Sequence, residues 1–360
     1  MAAQSDPAET RAGGRWFQQR SGEMAAADRL AVRARGDVIV IGSDVDAIRY
    51  SSRVWVRTAV DGLGLIPAML DREHVESERG PDGWVRIVLQ VPECAGCRVA
   101  AAFQIEVPRD ISQIDLETRG GDIEVRNIEG SVKVLAAGGS VDMDTIGSDV
   151  NAVASGRIVL GAVGGSVACE TAGGRIELDR AAGSARLATD VGSVRAMSVA
   201  GDLDARTGAG SIEIGRVKGS VSAETSSGSI RVIEAFNGVR AQAGAGDIRI
   251  GRASGALSVT SGAGNIAVGL AEQARLLDSV LTTGVGSVQV FLPETLALTI
   301  EAAVEMFRGH HGILTEFPSI QVSRSRGVIG TARATGSING GGPTLRSGTG
   351  IGHIEFRRQR

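Results

Sequence analysis

The chain has 360 residues, of which 51 are glycine and only 3% are aromatic, and its formal net charge is −3. Acids and bases are mixed along its length, which leaves no electrostatic case for nucleic acid as a partner, and no apolar run reaches transmembrane length. Glycine at this level without a Gly-X-Y period excludes collagen, while regularly spaced aliphatic residues exclude a disordered low-complexity chain.

In chain order, residues 1–24 are polar and rich in Ala, Arg and Gly, and they read as a flexible lead-in with Trp16-Phe17 as its docking candidate. They lack the apolar stretch of a signal peptide. The chain is therefore expected either in the cell envelope or secreted, if a leader has been removed, or else in the cytoplasm. Residues 25–117 read as a β-rich N-terminal part covering the first edge of a repeat region that begins at residue 118. Alternation at Leu30-Ala-Val32, Val38-Ile-Val40-Ile and Val54-Trp55-Val56 marks strands. Residues 84–89 and 98–107 read as a strand pair joined around Pro92-Glu-Cys-Ala-Gly-Cys97, and Gly62–Glu78, within a local addition spanning Gly62–Gly83, as a short helix or a loop excursion.

Residues 118–292 repeat. Glycine followed by a small or polar residue and then an aliphatic one recurs every nine residues, as in Gly156-Arg-Ile, Gly165-Ser-Val, Gly210-Ser-Ile, Gly219-Ser-Val, Gly228-Ser-Ile and Gly246-Asp-Ile, with Asn237 as the interruption. Within each unit the side chains alternate: Ile248 and Ile250 point one way and Arg249 the other, which is a short strand with one buried face. The units differ in pairs. Ile158/Leu160, Ile176/Leu178, Ile212/Ile214 and Ile230/Val232 are large, whereas Val167/Cys169, Leu203/Ala205, Val221/Ala223 and Val239/Ala241 are smaller. Large opposite small suits two walls sharing a narrow core. The structural repeat is thus about eighteen residues, one two-strand coil of an all-β solenoid of the parallel β-helix kind. Thr171, Thr189, Thr207 and Thr225 follow the same step, succeeded by Ala243 and Ser261, and predict a column of hydroxyls bonding between coils. After Gly269 the register breaks with an insertion over Ala271–Asp278. Residues 293–360 read as a C-terminal β cap, its last segment Leu345–Phe356 a modified coil.

Several motifs hint at chemistry. Gly-Ala-Gly at 208–210, 244–246 and 262–264 lacks the Gly-Lys-Ser/Thr and the helix of a phosphate loop, so no cofactor is expected. Nine-residue spacing with Gly and Asp suggests calcium-binding toxin repeats, but those need an aspartate in nearly every turn. The outward column runs Glu124, Asp142, Val159, Glu177, Arg195, Glu213, Arg231, Arg249, Ala267, allowing one deleted residue near Gly147. Its Glu177–Arg231 section alternates in sign. Glu124 beside Asp142, with Asp144 two residues on, places like charges together and is the weak candidate for a cation site. Cys94 and Cys97 form a Cys-x-x-Cys without the second ligand pair of a zinc site or the βαβ setting of a redox site, so a small disulfide loop or two free thiols are the readings kept. Cys169 takes an inward position and reads as a buried thiol.

The Gly-Asp/Ser-Ile-x-Val strands such as Gly121-Asp-Ile-Glu-Val125, the Val107-Pro108 entry, and Ile338-Asn-Gly-Gly-Gly-Pro-Thr-Leu345 followed by Gly352-His-Ile-Glu-Phe356 resemble the bacterial putative-adhesin family of β-solenoid domains over residues 28–360. The resemblance implies a solenoid with a non-catalytic, adhesin-like structural or binding role at the cell surface or envelope, and carries over no catalytic residues. The expected partner is a glycan, a cell-envelope component or a protein. A second reading is a self-assembling scaffold of the bactofilin type, polymerising through bare terminal coils. The weakest of the three is a β-helix polysaccharide lyase or hydrolase, because the one tyrosine and three tryptophans all lie outside the repeats.

Overall fold

The computed structural model describes residues 9–12, 15–58, 74–90, 97–307, 312–325 and 329–359. Every regular element among them is a β-strand, and no helix is long and apolar enough to cross a membrane. The protein is an all-β solenoid. It divides into two compact units, Met1–Gly174 and Arg175–Arg360.

The coil is plainest in the second unit. Ile176–Ala181, Val194–Val199, Ile212–Val217, Ile230–Ala235, Ile248–Ala253, Ile266–Leu270 and Val288–Leu292 form one parallel sheet. Ala185–Val191, Leu203–Ala209, Val221–Ser227, Val239–Ala245, Leu257–Ala263 and Ser279–Val285 form the other. Both inward sets are buried, the larger Ile, Leu and Val on the first sheet and the smaller Leu203/Ala205, Val221/Ala223 and Val239/Ala241 on the second. Register advances by one coil at each step, Glu213 beside Arg231 and Arg231 beside Arg249. After Gly269 the pairing of Ser258 with Val280 absorbs four residues beyond the eighteen-residue step. The last coil, Thr344–Ile351 and Ile354–Arg358, stacks in parallel on Ser279–Val285 and Val288–Leu292. The intervening chain is its cover. Leu298–Phe307 runs parallel to Thr344–Ile351 and antiparallel to Ile329–Ile338, which carries Ile320–Arg324 on its far edge.

The first unit contains the same coil, but its chain order is broken. Arg29–Ala34 and Val38–Ser43 pair in parallel with Gln113–Thr118 and Ile123–Ile128 on one side. On the other side they pair with Trp84–Gln90 and Cys97–Pro108, which come later in the sequence. The expectation of a strand pair at 84–89 and 98–107 is corrected: the two segments lie in opposite sheets, because each buries its own alternate residues (Val85 and Ile87; Phe103, Ile105 and Val107) as a coil does. The outer coil is then closed by antiparallel strands. His74–Arg79 borders Trp84–Gln90, while Ala47–Thr58, Arg15–Ala25 and Glu9–Ala12 succeed one another beyond Cys97–Pro108. Residues 15–24, expected as lead-in, are strand because the backbone of Arg15–Ala25 pairs along nearly all of Ala47–Thr58. Trp16-Phe17 does enter a sheet, opposite Val56 and Trp55. Most of the Gly62–Gly83 excursion lies outside the described residues.

The nine-residue glycine period resolves into two different corners. At one corner of the second unit, Gly192, Gly210, Gly228, Gly246, Gly264, Gly286 and Gly352 all have φ between +141° and +159°, a region other residues rarely enter. They also stack: a Cβ on Gly228 would lie 2.1 Å from the Gly210 carbonyl oxygen, and one on Gly246 2.1 Å from that of Gly228. The hydroxyl column serves this corner. Thr207 Oγ1 donates to Gly192 O at 2.8 Å, Thr225 to Gly210 O at 2.9 Å and Ser261 to Gly246 O at 2.9 Å, so each hydroxyl binds the corner carbonyl of the coil before its own. The column thus bonds between coils as expected, with peptide carbonyls as acceptors. The first unit repeats the device where Thr118 Oγ1 donates to Gly36 O at 2.6 Å. The opposite corner is less uniform: Gly219 has no positive φ, Gly255 has φ +85°, and where Asn237 interrupts the period the positive φ falls one residue later, at Gly238, φ +96°.

Gly228→Ala is expected to cost about 3 kcal/mol, from positive φ together with the carbonyl in the path of the new methyl. Gly120→Ala, with nothing within 4 Å of the added Cβ, should stay within about 0.5 kcal/mol. Ala243→Ser restores a hydroxyl where the column lacks one and should raise stability by about 0.5–1 kcal/mol. Thermal and urea melts of the three variants decide all of these.

Candidate functional site

The residue after the corner glycine has a fixed task. Asp202 accepts from the Ser220 backbone N–H at 2.7 Å and from its hydroxyl at 2.8 Å. Asp247 accepts from Asn265 N–H at 2.9 Å, and Asn265 Oδ1 in turn from Ser287 N–H at 3.0 Å. In the first unit Asp122 accepts from Ser140 N–H at 2.7 Å, and Asp149, which follows Ser148 and not a glycine, accepts from Ser166 N–H at 2.7 Å. Asp, Asn and Ser interchange here because each offers an oxygen to the next coil. The Gly-Asp pattern is therefore a ladder of side-chain caps. The Ser220 donors hold the Asp202 carboxyl below the usual carboxylate range, and the Asn265 N–H, aided by Arg249, does the same for Asp247.

The acidic trio of the first unit is in the predicted register, Glu124 beside Asp142. Sequence reasoning missed Arg126, which stands beside Asp144 in that ladder and hydrogen-bonds Glu124 through Nε. The Glu124 hydrogen bond, followed by the charges of Glu124, Asp142 and Asp144, raises the Arg126 pKa. Among the described residues no group of three acids, histidines or cysteines is placed to hold a metal. The deleted residue near Gly147 is confirmed by the pairing of Asp142 with Val159. Cys94 lies outside the described residues, as does the side chain of Cys97. Cys169 is a buried free thiol whose pKa burial pushes up to about 12, far from the thiolate form that reacts.

Concavity arises elsewhere, on the outer face of the larger-residue sheet of the second unit. Its outward rows are set by the register. One runs Arg231, Arg249, Ala267, Gln289; the next runs Ile233, Gly251, Gly269, Phe291. Two successive glycines and one alanine remove side chains from the middle of this face and leave a hollow of about 420 Å3, lined by Arg231, Ile233, Arg249, Phe291 and Gln359 over a glycine floor. A register shift between Ile250 and Ala253 bends the strand at this floor. Across Ala267 lies a smaller polar hollow of about 270 Å3, bordered by Arg249, Asn265, Ser287, Gln289 and His353. Ser287 Oγ and His353 Nδ1 are 2.9 Å apart, and Gln289 Nε2 donates to Glu355 at 3.0 Å. Arg249 stands between the two hollows and pairs with Asp247 at 2.6 Å.

The neighbouring charges are largely neutralised. Arg195 pairs with Glu213 at 3.8 Å, and Glu234 is held by Arg216 at 2.6 Å and Arg252 at 3.4 Å. Arg231 has no ion-pair partner among the described residues, and its neighbour in the next coil is another arginine. One terminal side chain is left over as well: Gln359 Oε1 is buried without a hydrogen-bond partner among the described residues. The predicted sign-alternating column is thus present in register but ends in an adjacent Arg pair at the rim of the hollow. The signal was in the sequence, as glycines at outward positions 251 and 269 where Ile233 and Phe291 stand on either side.

No family model matches the chain, and no curated protein matches it. Among solved structures, a putative cell adhesion protein from Clostridium sporogenes aligns at 10% identity over 95% of this chain and 100% of its own, with a TM-score of 0.21. A putative adhesin from Bacteroides fragilis aligns at 12% identity over 95% of this chain and 97% of its own, with a TM-score of 0.27.

The capping aspartates make a pH prediction. Their folded pKa values lie below the unfolded value of about 3.9, so their contribution is fully present above that pH and is lost as pH falls through the folded values. Asn, which already serves at position 265, keeps the acceptor and removes the titration. The Asp202→Asn/Asp247→Asn double variant should melt below the parent at pH 7 and lose less melting temperature than the parent between pH 5 and pH 2.5, so that the gap between them closes.

Proposed function

We propose that this protein is a non-catalytic, adhesin-like binding protein of the cell surface or envelope, working through the outer faces of its coils. The observation that carries the reading is the hollow over Gly251 and Gly269: a concave, solvent-open site on a stacked sheet, where binding groups stand at fixed spacing and no acid–base pair is directed into it. A rigid sheet loses little conformational entropy on binding, which suits repeated contacts with an extended ligand.

The scaffold alternative draws no support from the coil ends. In the first unit the outermost coil is covered by antiparallel strands, and in the second the last coil carries the three-residue Ile313–Thr315 on one sheet and further strands on the other. Short or covered edges are what block end-to-end strand pairing.

Full-length protein incubated with isolated bacterial envelope fractions and soluble glycans should bind saturably, release no shortened saccharides, and sediment as one species at every concentration. Open-ended oligomers would favour the scaffold, and released fragments would favour an enzyme.

A further inference from the structure

Resting on that reading, we propose that the hollow over Gly251 and Gly269 binds an acidic sugar residue of an anionic polysaccharide. Three independent features converge on that chemistry. Arg231 and Arg249 occupy consecutive rungs, about 4.8 Å apart in a parallel sheet, and the ion pairs that neutralise the surrounding arginines leave Arg231 unmatched. Two adjacent guanidinium groups on one face repel each other and are relieved by an oxyanion held between them, carboxylate being a shape that guanidinium forks fit in two-point fashion. The acids of this face are engaged elsewhere: Glu213, the rung neighbour of Arg231 on its other side, pairs with Arg195, Glu234 with Arg216 and Arg252, and Asp247 with Arg249.

The second feature is the floor. With no side chain on Gly251 or Gly269, a flat ring lies directly on the sheet between Ile233, which is 42% exposed, and Phe291. These apolar ends are wasted on a bare inorganic anion but suit the C–H faces of a pyranose. The hollow of about 420 Å3 falls within the range of roughly 300–1,000 Å3 usual for small-ligand sites. Third, Gln359 Oε1 is a buried acceptor without a donor among the described residues, a position that a sugar hydroxyl satisfies. The chain of the polysaccharide continues across Ala267 into the smaller hollow, where the groups on the rim are Asn265, Ser287, Gln289 and His353.

The test is calorimetry of the full chain against a uronate hexasaccharide, its carboxyl-reduced neutral counterpart and inorganic phosphate. Binding of the uronate is expected to weaken at least tenfold on carboxyl reduction, at least tenfold in Arg231→Glu and severalfold in Phe291→Ala. Arg186→Ala, on the opposite sheet, serves as control and should bind like the parent. Unchanged melting temperatures exclude misfolding, since Arg231 is exposed and makes no ion pair. Phosphate binding equally well with no effect of Phe291→Ala would overturn the sugar and leave only an oxyanion site. Uronate binding indifferent to Arg231→Glu, or binding of the neutral glycan alone, would overturn the site or its ligand class while the adhesin-like role stands. Failure of the parent to bind any envelope fraction or glycan would remove both.

Discussion

The structure depends on one close approach. At the glycine corner of each coil the carbonyl oxygen of the previous coil lies about where a Cβ would be, 2.1 Å away at Gly228. That contact sets the distance between successive turns, and the left-handed backbone that accompanies it turns the carbonyl toward the threonine or serine of the next coil. Glycine, hydroxyl and carbonyl thus form one unit repeated along this corner, with Ala243 as an exception. The inward isoleucines and valines supply the burial energy, but burial is non-directional. It is the corner that fixes where one coil ends and the next begins.

Much of this was legible because the two periods concerned are simple. Alternation within Ile248-Arg249-Ile250 assigns inside and outside, and the large and small inward pairs assign each strand to one of two walls. Even the deletion near Gly147 showed as a slip in the column. What remained hidden was whatever depends on geometry between coils. The period of nine does not distinguish a glycine required by φ, such as Gly228, from one required only by proximity, such as Gly219; Asn237 distinguishes them only once the backbone is seen. A threonine column reads naturally as hydroxyl bonded to hydroxyl, since nothing in the sequence shows that a carbonyl is turned inward beside it. Arg126 escaped notice because it belongs to the next outward position, which the column did not include.

The candidate site was hidden for a different reason. Sequence motifs draw attention to residues that bear chemistry, and the acidic trio was found that way. The hollow is made by residues that bear none. Gly251, Gly269 and Ala267 look like further members of a glycine-rich repeat, although they point outward and take no part in either corner. The same composition therefore serves two ends in one chain: stacking at the corner and concavity on the face. The Asp202 and Asp247 carboxylates show the converse case, charged groups in a motif suggestive of metal binding that are occupied with holding the backbone of the next coil.

The coil at Arg29–Ser43 has a consequence for how the chain acquires its form. It is flanked on both sides by strands that come after it in sequence, Trp84–Pro108 on one side and Gln113–Ile128 on the other. A ribosome delivers it before either neighbour exists, so assembly of the first unit cannot proceed coil by coil from the N-terminus. Those early strands must wait, unpaired, until Trp84 and the residues after it have emerged, and closing that loop costs entropy before any contact rewards it. The same arrangement makes the finished end hard to unravel. Once in place, this coil is not a terminal one: a pull on the N-terminus peels the edge strands Glu9–Ala12 and Arg15–Ala25 first and only then meets a coil held on both sides.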